Sequence, residues 1–389
     1  MIDIRQMQTK DRRSFEELHW NNYWRSHCII LNRDFYRWQF TGLQKDNTTE
    51  ENDQSIVAVD DDGKVLSYMG LVPITASFNG RTISAVHIMS WLTASEARGQ
   101  GIGYKMIDYI TGRFDFMYSR SPTSASLSIF QKCGFRYFKN CSRWIAVLDP
   151  RIASELATDQ SSASIKRIHA RALVSIRPTA KFYMSQQVPA GAAVTADAVL
   201  SKYVAFARTH DYLVWRYARH PHFRYLFLSL NDPGLPTAFA VFRVEDVSGR
   251  TGKVLRVIEF IAPPERSFDL AQSIFNYGME NGCAYVDIFG MSERFVSGFI
   301  SAGGFNSLEE TQIGLPHLLQ PYDEDLNPPG LLFWGRRNIV PTMNLGPADD
   351  ITNIYVSRGD GNMDWPSWNS DFFAPPTRLA SQIPRVGDA

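Results

Sequence analysis

The segment with the clearest chemical use is built on three glycines. Ser95-Glu96-Ala97-Arg98-Gly99-Gln100-Gly101-Ile102-Gly103 follows a β-rich run and opens a helical one. Glycine lets a backbone approach a ligand closely, and a helix start presents unpaired N–H groups and the positive end of the dipole. Together they suit a pyrophosphate. The run lacks the lysine and Ser/Thr of a P-loop. It also follows a meander rather than the first strand of a βαβ unit, so it is not a dinucleotide-binding start. Cys28, Cys133, Cys141 and Cys283 are scattered, with no CxxC pair and no histidine at metal spacing. They read as reduced thiols of a cytoplasmic protein, and Cys133 as a packed helix-end thiol rather than a nucleophile. His220-Pro221-His222 puts two imidazoles in one loop without a carboxylate or thiol at ligand spacing, so no metal is expected.

Positioning that loop requires a mixed sheet. Residues 8–24 read as a helix, 55–60 as a strand, and DDDG at 60–63 as a tight turn into a strand at 64–70. The chain stays extended over 71–79, turns at Asn79-Gly80 and returns over 82–93. A helix over 101–113, a strand over 114–119, a helix over 122–133 and a last strand through 135–147 complete an α/β (α+β) unit. The aromatic-rich helices at 15–23 and 34–40, with Trp20, Trp24, Phe35 and Trp38, read mainly as core. Residues 150–200 show weak periodicity and read as a connection with strands at 168–176 and 182–188. After it the first pattern returns, with elements at 224–230, 236–245, 253–262, 267–281 and 284–289. Asp34-Phe35-Tyr36-Arg37-Trp38 compares with Asp211-Tyr212-Leu213-Val214-Trp215. Ile129 to Phe135 compares with Phe299 to Phe305. The landmarks lie about 100 residues apart in one half and about 93 in the other, the spacing of an internal duplication.

Arg98-Gly99-Gln100-Gly101-Ile102-Gly103, followed after a strand by Phe130-Gln131-Lys132-Cys133-Gly134-Phe135, resembles the two landmarks of the GNAT superfamily of acyl-CoA-dependent N-acyltransferases. The resemblance covers about residues 1–148. It implies that backbone amides of Gln100 to Gly103 hold the CoA pyrophosphate, within a cofactor-binding set of Arg98, Gly99, Gln100, Gly101, Ile102, Gly103 and Tyr104. It implies that Leu92, Thr93 and Ala94 pair with the pantetheine arm like an added strand. Lys105 either meets a CoA phosphate or is a solvated lysine. Several members carry a basic or acidic side chain eleven positions before the signature, which here is His87, the expected general base. Histidine titrates near neutrality, which suits that work. The family's usual acid is a tyrosine where this chain has Phe130, so Tyr118, Tyr137 or water must protonate the leaving thiolate.

The second half carries Ala262-Pro263-Pro264-Glu265-Arg266-Ser267-Phe268-Asp269 at the equivalent of the glycine loop. Two prolines remove N–H donors and two carboxylates repel pyrophosphate, so that half is expected not to hold CoA. The organisation expected is a catalytic unit over 1–150, a connection over 151–199, a second, degenerate unit of the same fold over 200–345, and a partly ordered extension over 346–389. Gly359-Asp360-Gly361-Asn362-Met363-Asp364-Trp365-Pro366 partly resembles an ending of tandem members found with surface-polysaccharide genes, with Trp365 in place of an arginine. That likeness implies an amino-sugar acceptor, in particular one linked to a nucleotide.

Composition sets the outer limits. The 389 residues carry 40 basic and 40 acidic side chains, net charge zero, with 44% hydrophobic and 13% aromatic residues. Such a chain has real cores and no global charge drawing it to nucleic acid or to an anionic membrane. No apolar run of spanning length and no leader pattern occur, so a cytoplasmic location is expected. The expected activity is transfer of an acetyl or short hydroxyacyl group from acetyl-CoA or another acyl-CoA to a primary amine, without a metal. The expected partner is a small-molecule amine, with a homodimer also open. Acylation of another small amine or a peptide amino group, and a non-enzymatic CoA-binding protein on the same scaffold, remain as alternatives.

Overall fold

The computed structural model describes residues 2–22, 28–43, 53–139, 141–157, 165–166, 169, 180–247, 251–307, 314–315, 330–336, 339 and 353–360. The first half runs β1 (Asp3–Gln6), α1 (Arg12–Asn22), α2 (Cys28–Leu31), α3 (Arg33–Thr41), β2 (Ile56–Val59), β3 (Val65–Phe78), β4 (Arg81–Thr93), α4 (Ile102–Thr111), β5 (Phe116–Arg120), α5 (Ser124–Lys132), β6 (Arg136–Phe138) and β7 (Arg143–Val147). Asn79 and Gly80 both take positive φ, 48° and 74°. That is the type I′ geometry Asn-Gly favours, and it fixes the β3–β4 register. The second half runs α6 (Pro150–Leu156), β8 (Phe182–Ser185), α7 (Ala192–Leu200), β9 (Val204–Phe206), α8 (His210–Leu213), β10 (Leu226–Leu230), β11 (Phe239–Asp246), β12 (Lys253–Ile261), α9 (Pro264–Glu280), β13 (Cys283–Phe289), α10 (Ser297–Ser301), β14 (Phe305–Asn306), β15 (Leu331–Gly335) and β16 (Ile354–Tyr355).

Two sheets form: the first takes β9, β15 and β16 from the second half, and the second takes β7 from the first half. The first has the order β1-β2-β3-β4-β5-β15-β6, with β9 on β3 and β16 on β9. The second has the order β14-β7-β13-β12-β11-β10-β8. In both, an antiparallel pair (β3–β4, β11–β12) is followed by a parallel neighbour reached through a helix (β5, β13). The reading of one strand through 135–147 is corrected. β6 stays in the first sheet, whereas β7 pairs antiparallel with β13, Val147 opposite Tyr285. β15 fills the corresponding place in the first sheet, between β5 and β6. Sheet membership therefore crosses the boundary drawn at residue 150. The Ala-rich part of the connection, read as irregular, is α7, in keeping with alanine's helix propensity. The strand expected at 168–176 lies outside the described residues apart from His169.

The residues matched between the halves meet. Trp38 Nε1 donates to the Trp215 carbonyl at 2.9 Å, and Trp215 Nε1 donates to the Trp38 carbonyl at 2.6 Å. The indoles stack with centroids 5.5 Å apart. Buried indole donors left alone would cost about 1–3 kcal/mol each, so the exchange pins the halves together. Phe15, Phe35 and Tyr36 of the helices are fully buried, as is Tyr68 of β3, against which Phe15 packs. A second apolar cluster joins Phe116, Tyr118, Phe206 and Phe333 of that sheet to Phe289 at the end of β13 and to Val356. Among the described residues no helix is long and apolar enough to cross a membrane, and no cluster of potential metal ligands occurs.

Candidate active site

The glycine loop is shaped by its backbone. Gly99 and Gly101 have φ of +81° and +74°, a left-handed conformation that costs other residues about 1–2 kcal/mol. Gly101 is the N-cap of α4, and no side chain caps that end. The first-turn amides thus keep their capacity for an anion. Gly103 serves a different purpose. A Cβ there would stand 2.9 Å from both Ile129 Cδ1 and Trp91 Cζ2, so glycine keeps the helix start close to the wall it faces. Side chains brace the loop from outside. The Ser95 N–H donates to Asn22 Oδ1 at 3.0 Å, Gln100 Nε2 to the Glu96 carbonyl at 3.1 Å, and Lys64 pairs with Glu96 at 2.8 Å.

Beyond the loop, β4 and β5 part. Their parallel register runs from Ala85 opposite Phe116 to Ile88 opposite Ser119 and ends there. Ser90 has φ of +47°, and the β3–β4 register is irregular between Tyr68 and Gly70. This local bulge turns β4 away from its neighbour. The opening holds two cavities. A cleft of about 530 Å³ lies along Leu92, Thr93, the loop and α5. A chamber of about 120 Å³ lies at the fork. Trp91, Leu92, Thr123 and Ser126 line both, so the chamber stands at the inner end of the cleft.

Of the cofactor-binding residues expected, Leu92, Thr93, Arg98, Gly99, Gly101, Ile102, Gly103 and Tyr104 line the cleft, whereas Ala94 and Gln100 do not. The Ala94 N–H is already engaged, donating to the Leu66 carbonyl at 2.8 Å. That leaves the Ala94 carbonyl, and not its N–H, as the group that could pair with an extended arm. Lys105 is exposed. His87 and Tyr118 stand opposite each other in register, with ring centroids 5.0 Å apart, but neither lines the cleft or the chamber. Burial, and then the charges of Arg120 and Arg216, hold the His87 imidazole well below its ordinary pKa. Burial pushes the Tyr118 hydroxyl well above its own. That hydroxyl accepts a hydrogen bond from Arg120 Nε. Phe130 lines the chamber and packs edge-on against Trp91. Cys133 lies outside both cavities, its thiol raised by burial and by Asp108. His220 is buried, and its Nδ1 accepts the backbone N–H of Phe223 at 2.9 Å.

Two chamber residues escaped the sequence reading. His19, four positions after Phe15 on the buried face of α1, lines the chamber, and its ring meets Phe15 edge-on at 5.8 Å. Arg120 ends β5 and also lines it. Spacing of apolar residues in α1 gave the signal for a buried face at His19, but which sheet opening that face meets is a tertiary fact. At the matching fork of the second sheet, Arg256 stands opposite Asp287, and α9 starts at Pro264 without a glycine loop.

Comparison with known proteins agrees with this geometry. A family model described as an acetyltransferase (GNAT) domain matches residues 31–138, the stretch that holds the loop and the fork. No curated protein matches the chain. The fold is similar to a GCN5-related N-acetyltransferase from Anabaena variabilis (TM-score 0.53, 10% identity, 85% of this chain and 72% of that one). It is also similar to a conserved protein of unknown function from Enterococcus faecalis, described as a probable N-acyltransferase (TM-score 0.54, 11% identity, 86% and 72%). A GCN5-related N-acetyltransferase from Kribbella flavida is a third (TM-score 0.50, 11% identity, 86% and 70%). The fold is mixed α/β and GNAT-like, and the stretch matched as an acetyltransferase domain supplies all of the cleft lining except Asn22.

Proposed function

We propose that this protein transfers an acyl group from acyl-CoA to the primary amine of a small molecule. One observation carries the reading: an uncapped, glycine-shaped helix start lines the same cleft as the β4–β5 fork, and that cleft ends at a polar chamber. The first-turn amides and Gly103, where a Cβ would close the cradle, fit a pyrophosphate. Leu92 and Thr93 fit an extended arm leading to the fork. Acyl-CoA supplies an activated thioester, and the chain's task is to orient it and manage one proton. The chamber residue suited to that proton is His19, the one imidazole in its lining. It accepts the proton as the new N–C bond forms and returns it to the thiolate as the C–S bond breaks. His87 and Tyr118, expected as base and acid, act in this reading on the chamber through Arg120 as positioning residues.

The acceptor we favour is an amino sugar, in particular one linked to a nucleotide, on the partial likeness of the run beginning at Gly359. The chain is read as two copies of one fold, supported by the matching strand orders and the Trp38–Trp215 exchange. The test is release of free CoA thiol with acetyl-CoA and a panel of amino sugars, free and nucleotide-linked. Release above the rate without amine supports transfer. CoA binding with no release from any amine, amino acids and peptides included, would favour the binding-protein alternative.

A further inference from the structure

The chamber is small and its walls are tied down. It holds about 120 Å³, the share of about four waters at ~30 Å³ each. On one side it is lined by Ser119, Arg120 and Ser121, three successive residues where β5 ends. Each is anchored to a different part of the chain. Ser119 Oγ donates to the Ile88 carbonyl of β4 at 3.1 Å. Arg120 Nη2 donates to the Ser357 carbonyl of the C-terminal run at 2.6 Å. The Ser121 N–H donates to the Gly330 carbonyl, just before β15, at 3.0 Å. The anchor at Ser357 is fixed in turn. Asp360 Oδ2 accepts the Ser357 N–H at 2.9 Å and a hydrogen bond from buried Arg208 at 2.6 Å.

The other side is aromatic. Phe130 of α5 lines the chamber, and its ring meets that of Trp91 edge-on, with centroids 5.1 Å apart. Phe135 stands against Phe130 at 4.8 Å, and Trp334 of β15 against Phe135 at 6.4 Å. Trp91 lines the cleft as well as the chamber, and its outer edge is so close to α4 that Gly103 has no room for a Cβ. Rings packed on rings have no void to swing into. We infer that Phe130 and Trp91 are the specificity-determining residues for the acyl group, holding it to about two or three carbons. This rests on the acyl-transfer reading above. The acyl carbon is bonded to the sulfur at the end of the arm, so an arm along Leu92 and Thr93 delivers it to the junction that Trp91 borders. Acyl group and attacking nitrogen then share the chamber. An acetyl group and that nitrogen are four heavy atoms, which a volume of about four waters holds with little to spare. A hexanoyl group brings four further carbons, and the anchored end of β5 does not give way to them. Phe130 lines the chamber and not the cleft, so shortening it lengthens the chamber and leaves the cleft lining in place.

A series of thioesters tests this on the full chain: acetyl-, butanoyl- and hexanoyl-CoA, beside CoA itself. Each is measured by calorimetric binding, and by kcat/KM with any amine of the panel above that is acylated. The wild type should favour acetyl-CoA over hexanoyl-CoA at least tenfold. Phe130→Ala should lower that ratio at least tenfold. The ratio compares two ligands of one variant, so a general loss of stability does not move it. No preference in either measure overturns the role of the two aromatics, as does an unchanged ratio in Phe130→Ala. If that variant fails to fold, Phe130→Leu decides by the same comparison with butanoyl-CoA, where a ratio unchanged from the wild type overturns the role. CoA itself, which carries no acyl group, separates the two levels. No binding of CoA or of any thioester sinks the acyl-transfer reading, whereas CoA binding without preference among acyl groups sinks only the role of Phe130 and Trp91.

Discussion

His19 and His87 are both buried, and they differ in access to the chamber. His19 lines it and His87 does not. His19→Gln should therefore lower kcat by about 10²-fold or more, the usual share of a positioned base, while leaving the acetyl-CoA melting shift in place. Steady-state kinetics beside a melting curve checks this. His87 makes a different prediction. Folded, its imidazole stays neutral well below the ordinary pKa; unfolded, it takes up a proton near pH 6.5. Below that pH the unfolded chain binds more protons, so stability falls with pH at up to about 1.4 kcal/mol per unit. His87→Gln should flatten that slope in denaturant titrations between pH 7.5 and 5.5. Equal slopes would show that His87 is not held neutral. His87 was legible as a residue to single out because a motif spacing points to it. Its burial behind Arg120 was not, because that arginine's place depends on residues more than 150 positions away.

The glycine loop was the element most fully legible, since glycines before a helix leave few alternatives in physical terms. Its members do different work, and substitutions should separate them. Gly101→Ala places a side chain at φ +74° with nothing within 4 Å. It should weaken CoA binding by about 1–2 kcal/mol through backbone strain alone. Gly103→Val drives atoms into Trp91 and Ile129 and should abolish measurable binding in calorimetry. Strand and helix spans were also legible, from turns such as Asn79-Gly80 and from apolar alternation. Strand partnership was not. Arg143–Val147 and Leu331–Gly335 are short and largely apolar, and nothing local tells either which sheet to join.

Because β7 and β15 are exchanged, neither half of the molecule can complete its sheet alone. Fragments 1–172 and 173–389 expressed separately should fail to give a cooperative melt. Co-expressed, they should copurify and recover the CoA shift, which size-exclusion chromatography and a melting curve would report. The exchange gives the second half a purpose that its missing phosphate loop had obscured: it completes the first sheet and, with residues 353–360, fixes a guanidinium at the fork. The proposed acyl transfer requires acyl-CoA to occupy the cleft between the glycine loop and α5. Its most direct test is the melting temperature of the whole protein with and without acetyl-CoA, beside Gly103→Val. At ligand concentrations about 100 times Kd, binding should stabilise the wild type by about 2.7 kcal/mol and raise its melting temperature, with no rise in the variant. An unmoved wild-type melting temperature with acetyl-CoA and with longer acyl-CoAs would contradict the account.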